Sequence, residues 1–162
     1  MARRVTVRRA LMAMLFLVGT ASAAVAQESV RITLPTAITF TASTNGTVTG
    51  SPSPSTITFD NTVLLIGRVL RISVKADSAS FTGPDGASFP SSLVSWTVSN
   101  VSGGSASPGT LSASGYTQMF QSHNLTLSGG FDIDWTLASV AGVSRAGTHT
   151  VTLRWSIEAV YP

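Results

Sequence analysis

The chain has 162 residues, with 10 Lys and Arg, 7 Asp and Glu, and no Cys. The missing Cys excludes disulfides, thiol catalysis and Cys-ligated zinc. Four of the ten basic residues lie before position 10, so residues 27–162 have six basic and seven acidic residues. No positive field therefore attracts nucleic acid or anionic lipid, and we expect no nucleic-acid partner.

The first 26 residues have the order of a secretory signal peptide. A basic start, "MARRVTVRRA", precedes an apolar run, "LMAMLFLV", and small residues that end in Ala24-Val25-Ala26. The apolar run is too short to span a bilayer, which takes about 20 residues. We predict that residues 1–26 are cleaved and that the mature protein has no membrane segment. Residues 27–162 are then a single domain that passes through the periplasm to the cell surface or extracellular space.

Alternating apolar residues predict β-strands from the start of the mature chain. Val30, Ile32 and Leu34 form the first alternation, and Pro35 interrupts it. Asn45-Gly46 predicts a hairpin turn, and residues 63–76 predict one long strand that bends at Gly67.

The second half of the chain continues the pattern. Residues 81–90 predict a hairpin loop, residues 93–101 a strand, and residues 102–109 a flexible loop. Weaker strands are predicted at 116–120 and 125–127, and the clearest strands at 131–140 and 148–160. We therefore expect an all-β fold, an antiparallel immunoglobulin-like or pilin-like sandwich of about eight to ten strands.

The connector "AGVSRAG", residues 141–147, suits an antiparallel return, so we predict that the last two strands pair with each other. Their apolar faces match only when the partner numbers have an even sum, because a slip of one residue turns every side chain over. We predict a sum of 288, which places Ile133 opposite Trp155 and Asp134 opposite Arg154, or a sum two units away.

The three tryptophans share one local pattern, with aliphatic residues in phase with each indole. This phase predicts that Trp96, Trp135 and Trp155 lie in the core. The alternative is a sugar-stacking platform that they form together with Tyr116. Tyr161, near the end of the chain, is the better candidate for an exposed ring.

Asp132 and Asp134 are the sharpest catalytic candidates, because residues two apart on a strand lie about 7 Å apart, within the range used in glycoside hydrolysis. The alternative is a solvated face on which these residues form an ion pair with Arg154. Together with Glu158 the two acids are also candidates for a Ca²⁺ site, although three carboxylates are few for that ion. We favour the solvated face and expect no catalytic residue.

The remaining polar residues offer no stronger site. Asp85 in "GPDG" is typical of a turn, and His123 and His149 lack a zinc-ligand spacing. We therefore expect no metal site and no cofactor.

The end of the chain resembles known surface-protein families. "AGTHTVTLRWSIEAVYP", residues 146–162, is similar to the closing strand of spore-coat-protein-U-type and fimbrial subunits. Trp135-Thr136-Leu137 and Trp155-Ser156-Ile157 resemble the W-x-L motifs of bacterial cell-surface domains. The resemblance implies a secreted, non-enzymatic, pilin-like sandwich with a structural or adhesive role.

Two segments, residues 29–34 and residues 147–161, fit assembly by strand addition to other copies or to surface-assembly proteins. The first segment either leaves its own sandwich to complete a neighbour or is simply the first strand of its own fold. The alternative function is a carbohydrate-binding or cell-wall-binding module, with polysaccharide as the partner. The residues of the two candidate assembly strands are Val30, Ile32, Leu34, Val151, Leu153, Trp155, Ile157 and Tyr161.

Overall fold

The computed structural model describes residues 27–42, 47–83, 86–138 and 146–162. The predicted signal peptide, the Asn45-Gly46 turn and Asp85 lie outside these residues. The described residues form thirteen strands and a short 3-10 turn at Ser91–Leu93, with no α-helix. The strands are β1 (Ser29–Thr33), β2 (Ala37–Ala42), β3 (Val48–Ser51), β4 (Ser55–Val63), β5 (Val69–Ala76), β6 (Ser80–Thr82), β7 (Ser88–Pro90), β8 (Val94–Ser102), β9 (Gly104–Ala106), β10 (Gly109–Thr110), β11 (Thr117–Ser122), β12 (Gly129–Leu137) and β13 (Gly147–Val160).

β12 is the central strand of the first layer. It pairs with β8 along one edge, while its other edge pairs with β4 and then with β3. β1 lies outside β4, and β10 lies outside β8. All these pairings are antiparallel, which short connections between strands allow.

β13 is the long strand of the second layer. Residues 147–152 pair with β2, and residues 153–160 pair with β5. β11 lies beside β5, and β9 lies beside β11. β3 pairs with both β12 and β2, so it connects the two layers.

Aromatic side chains fill the space between the layers. Phe120 of β11 stacks on Phe131 of β12 with ring centroids 5.1 Å apart, and it contacts Phe59 of β4 at 5.3 Å. Trp96 and Trp135 are both buried, with their rings 5.6 Å apart. The inward residues of β12 alternate with half-buried polar residues, as expected for a strand with one face in a core.

The prediction of an all-β, antiparallel sandwich is confirmed. The strands are more numerous than expected because short pairings occur inside segments that read as loops. Residues 102–109, predicted as a loop, contain β9 and the start of β10. β6 and β7 pair as a hairpin, in agreement with the hairpin predicted at residues 81–90, although most of the described residues of this range belong to its two strands. The break at Pro35 is also present, since β1 ends at Thr33 and β2 begins at Ala37.

The predicted pairing of the last two strands is wrong. β12 pairs with β3, β4 and β8, and β13 pairs with β2 and β5, so the two strands are not neighbours. Arg154 donates instead to Asp77, and Asp134 accepts a hydrogen bond from Ser53 at 3.0 Å. The alternation identified the inward face of each strand, but matched faces also occur on strands in opposite layers.

Two further strand predictions are wrong. Residues 63–76 are not one bent strand, because the chain turns at Gly67, whose φ is +83°, between the end of β4 and the start of β5. Residues 125–127 are not a strand; Leu125 has φ +60°, and this segment is an exposed connection. In both cases apolar residues occur in a turn rather than in a core.

We predict that Gly104→Ala destabilises the protein. A Cβ at this position of β9 would overlap the carbonyl oxygen of Gln121 and the ring of Phe120. Overpacking of this kind costs about 1–3 kcal/mol. Gly115→Ala is the matched control, since nothing lies within 4 Å of a Cβ there. Urea unfolding should give a lower midpoint for Gly104→Ala alone; equal midpoints would contradict the packing of β9 against β11.

Candidate functional site

Asp132 lies on the outer face of β12 and is held by two hydrogen bonds. Thr56 donates its hydroxyl to Oδ1 at 2.6 Å, and Asn100 donates its amide to Oδ2 at 2.7 Å. These bonds, that of Asn100 first, lower the pKa of Asp132 below its ordinary value. The carboxylate is therefore an anion that accepts hydrogen bonds, which is unsuited to a general acid.

Asp132 has a structural role, which follows from the position of Asn100. Asn100 has φ +50°, and the register of β8 against β12 shifts between the partners of Gly130 and Asp132. This is a β-bulge, a place where one strand has an extra residue. The amide of Asn100 reaches Asp132 from the bulge, so the carboxylate fixes the local geometry of two central strands.

The other residues considered as ligands are dispersed. Glu158 lies on β13 in the second layer, where Ser156 donates to it at 2.7 Å, so it does not join Asp132 and Asp134. His149 is buried on β13 with its ring edge-on to Phe89 at 5.3 Å, whereas His123 is exposed. Within the described ranges no three His, Asp or Glu side chains come together in a group that could hold a metal ion.

The indoles point into the protein. The Nε1–H of Trp96 donates to Ser107 O at 2.9 Å, and that of Trp135 donates to Ser55 Oγ at 3.2 Å. Trp155 is half-buried, and its Nε1–H donates to Pro35 O at 2.7 Å. The three rings therefore do not form an exposed stacking platform.

Among the Phe, Tyr and Trp residues that the structure describes, the exposed rings are those of Tyr116 and Tyr161, each beside a cation. Tyr116 lies 4.9 Å from Lys75 Nζ, and Tyr161 lies 5.4 Å from the guanidinium carbon of Arg68. Tyr161 is 67% exposed, in agreement with its selection as the better exposed ring.

β1, the first candidate assembly strand, is an edge strand of its own sandwich. It pairs with β4 alone, with a bulge between Ser29 and Arg31. Val30 and Ile32 are half-buried against the core, and Leu34 packs there beyond the end of the strand. Its other edge has no strand partner within the described part of the chain.

β13, the second candidate, directs its peptide groups to two partners. Leu153 N–H donates to Thr36 O, on the side of β2, at 3.0 Å. Thr152 O accepts from Asp77 N–H, on the side of β5, also at 3.0 Å. Because alternate residues of a strand point their peptide groups to opposite edges, odd-numbered residues of β13 point towards β2 and even-numbered ones towards β5.

This alternation leaves part of β13 without a neighbour. β2 pairs with β13 as far as Thr152, and Thr36 O accepts a hydrogen bond from the N–H of Leu153. The residues before Thr36 leave β13 and form β1, which lies beside β4. Over residues 154–160 the edge that faces away from β5 has no strand partner in the described residues. We call it the vacant edge; the peptide groups of Trp155, Ile157 and Ala159 point out from it.

A cleft of about 270 Å³ lies along the vacant edge. Residues 28–30 form one wall, residues 157–159 form the other, and Leu64 and Leu70 complete the lining. Ile157 is 38% exposed, although Leu153, which lies on the same inward face of β13, is buried. The opening of the sandwich therefore presents both apolar side chains and free peptide groups, the two components that an added strand uses.

Arg68 covers one end of this edge. One guanidinium nitrogen donates to Ala159 O, and the other forms an ion pair with Glu28 at 2.5 Å. Glu28 also accepts from Leu65 N–H at 2.9 Å. Sequence reasoning missed Arg68 and Glu28, because a single charged residue outside a strand has no pattern that predicts its partner.

Exposed aliphatic side chains also gather at one end of the sandwich. Ile66 is 90% exposed, Leu125 77% and Leu127 71%. A groove of about 200 Å³ lies between the β4–β5 connection and the β11–β12 connection. Its lining includes Val63, Leu65 and Leu127. An apolar surface of this kind is typical of a contact region.

We predict that Asp132 contributes stability that disappears in acid. Its folded pKa lies below the ordinary value of 3.8, so its contribution is complete above that pH and is lost as the pH falls through the folded pKa. Asp132→Asn should lower the free energy of unfolding at neutral pH and flatten its decline below pH 3.8. Asp134→Asn, which removes a carboxylate with the single donor Ser53, is the control and should change the acid curve less. Identical curves for the two variants, measured by urea unfolding from pH 2 to pH 7, would contradict this role.

None of the described residues forms a helix of the length and hydropathy that crossing a membrane requires. Comparison with protein-family models, with curated proteins and with solved structures finds no match for the chain. The geometry of the described residues is therefore the basis for a proposal about function, and its clearest feature is the cleft between β1 and the vacant edge of β13, two of the strand edges that lack a partner in these residues.

Proposed function

We propose that this protein is a secreted, non-enzymatic structural or adhesive protein of the cell surface, a pilin-like subunit that joins its neighbours by β-strand addition. The observation that carries the proposal is the opening of the sandwich between β1 and residues 154–160 of β13. Its partners are other copies of the chain or surface-assembly proteins.

β1 is suited to exchange between copies. It has five residues, pairs with a single strand and places only alternate side chains against the core. Its ion pair with β4, Arg31 to Asp60, is 3.8 Å long between side chains that are 75% and 55% exposed. An exposed pair of this kind contributes about 0–1 kcal/mol, so it adds little to the backbone pairing and the half-buried side chains that hold β1 in place.

The composition supports the same role. The predicted mature chain has few charges and no Cys, and the 26 residues before it are predicted to be a secretory leader. Sheet edges without a strand partner promote association between chains, except where a charged side chain covers them. An assembled surface protein uses such edges, whereas a monomer must protect them.

The alternative of a carbohydrate-binding module has weaker support. Glycan binding usually relies on exposed aromatic rings, and here Trp96 and Trp135 are buried while Trp155 is half-buried. A glycan would have to bind through hydroxyl and carboxylate groups such as those of Thr56 and Asp132, which already bond to each other.

We predict that β1 acts as a replaceable strand. Removing residues 27–34 from the mature protein leaves the edge of β4 unpaired and should lower the thermal midpoint. A synthetic peptide of residues 27–34 should restore it, since a ligand at 100 times its dissociation constant stabilises by about 2.7 kcal/mol. The control peptide has Ile32→Asp, which puts a charge on the inward face.

Light scattering of the mature protein at increasing concentration complements this test. Concentration-dependent oligomers are expected. A strict monomer, together with a truncated form whose thermal midpoint is unchanged, would refute strand exchange.

A further inference from the structure

We infer that the vacant edge of β13 pairs with the same edge of a second copy, antiparallel about a two-fold axis at Ile157. The inference rests on the proposed function and adds to it a contact in which no strand leaves its own fold. It continues the second layer of one molecule into the second layer of the other.

The bounds of the vacant edge identify the centre of the pairing. At one end Thr36 O takes the N–H of Leu153, so the free stretch begins at residue 154. At the other end β13 stops at Val160. Ile157 is the midpoint of residues 154–160, so antiparallel pairing about Ile157 uses the whole stretch on both copies. An edge that is complementary to itself is what an isologous two-fold contact requires.

The direction of the peptide groups satisfies this register. Trp155, Ile157 and Ala159 point their N–H and C=O groups out of the vacant edge. In the two-fold arrangement Ile157 lies opposite its own copy, and Trp155 lies opposite Ala159. Every residue whose peptide group points out of the vacant edge therefore meets another such residue, and the donors and acceptors of both edges pair once Arg68 releases Ala159 O.

The faces of the strands also match. Odd-numbered residues of β13 face inward, as the burial of Val151 and Leu153 shows. Since the register pairs odd with odd residues, inward side chains meet inward side chains. Ile157, which is partly exposed in the single chain, is then covered by the same residue of the second copy.

No like charges lie directly opposite each other on the outer face in this register. Glu158 lies opposite Ser156 of the second copy and Arg154 lies opposite Val160, while the two Glu158 side chains are diagonal, about 7–8 Å apart. Within one chain Ser156 already donates to Glu158 at 2.7 Å, and the register preserves this donor–acceptor combination across the interface.

Arg68 limits the association. Its guanidinium donates to Ala159 O, the carbonyl that Trp155 N–H of the second copy takes in the pair. The ion pair with Glu28 and the contact with Tyr161 hold the guanidinium in that place. A charged side chain laid over a free strand edge is a known protection against edge-to-edge pairing.

The absence of Cys from the chain allows a direct test by cross-linking. In mature protein with Ile157→Cys, mild oxidation should give a covalent dimer on non-reducing gels, because opposite residues lie about 4.5–5.5 Å apart, within disulfide reach. Ser156→Cys alone is the matched control. Its thiols are diagonal, about 7–8 Å apart, and should cross-link much less.

A mixture of two single variants gives a second measurement with exposed positions. Ser156→Cys and Glu158→Cys lie directly opposite in this register, so the mixture should form a heterodimer faster than either variant forms a homodimer. A longer affinity tag on one variant identifies the mixed band. Equal rates for the mixture and the separate variants would overturn the register.

The outcomes separate this inference from the proposed function. If neither Ile157→Cys nor the mixture of Ser156→Cys and Glu158→Cys cross-links, but Arg31→Cys does, the copies meet at β1. The two-fold contact is then wrong, while assembly through strand edges stands. If no variant cross-links and light scattering shows a monomer at every concentration, both are wrong.

We also predict that Arg68→Ala strengthens the dimer. The variant frees Ala159 O, so the dimer dissociation constant from analytical ultracentrifugation should fall severalfold. Lys75→Ala is the control, because it removes a cation that lies over Tyr116 instead. A dissociation constant that is unchanged or higher in Arg68→Ala would show that Arg68 does not compete with the second copy.

Discussion

The route of the chain at residues 34–36 determines how the two layers are joined and where they remain open. β2 runs beside β13 in the second layer, but before it the chain belongs to β1 in the first layer. The crossing is secured where Thr36 O accepts from Leu153 N–H and Pro35 O accepts from the Trp155 indole. Pro35 has no N–H to offer a ladder, so leaving the strand there sacrifices no backbone donor. The opening of the sandwich and the two-fold contact that we infer follow from the stretch of β13 that this crossing leaves without a neighbour.

The inward and outward faces of the strands could be predicted from the sequence, because burial of one face imposes a period of two. This is why Trp96 and Trp135 were correctly assigned to the interior. Neighbours could not be predicted in the same way. β12 and β13 have equally clear alternation, but each has other partners, and the choice among matching faces is made by the whole set of strands.

The turn at Gly67 and the role of Arg68 show a second limit to what could be predicted from the sequence. Apolar residues on both sides of Gly67 read as one strand, although the chain reverses there with φ at +83°. Only that reversal brings Arg68 next to Glu28 and Ala159, residues 40 and 91 positions away. A contact between such distant residues has no local pattern, and so the cap of the vacant edge, like the hydrogen bonds of Asp132, emerges only from the fold.

The placement of the aromatic residues determines what optical spectroscopy can observe in this protein. The two buried indoles touch each other and have their N–H groups bonded inside the sandwich, so their emission reports the integrity of the core. A ligand or neighbour on the outer faces would leave that signal nearly unchanged. Trp155 is the exception, because it is half-buried beside Pro35 at the crossing of the chain. Its indole is thus a native optical probe of the place where the sandwich is open.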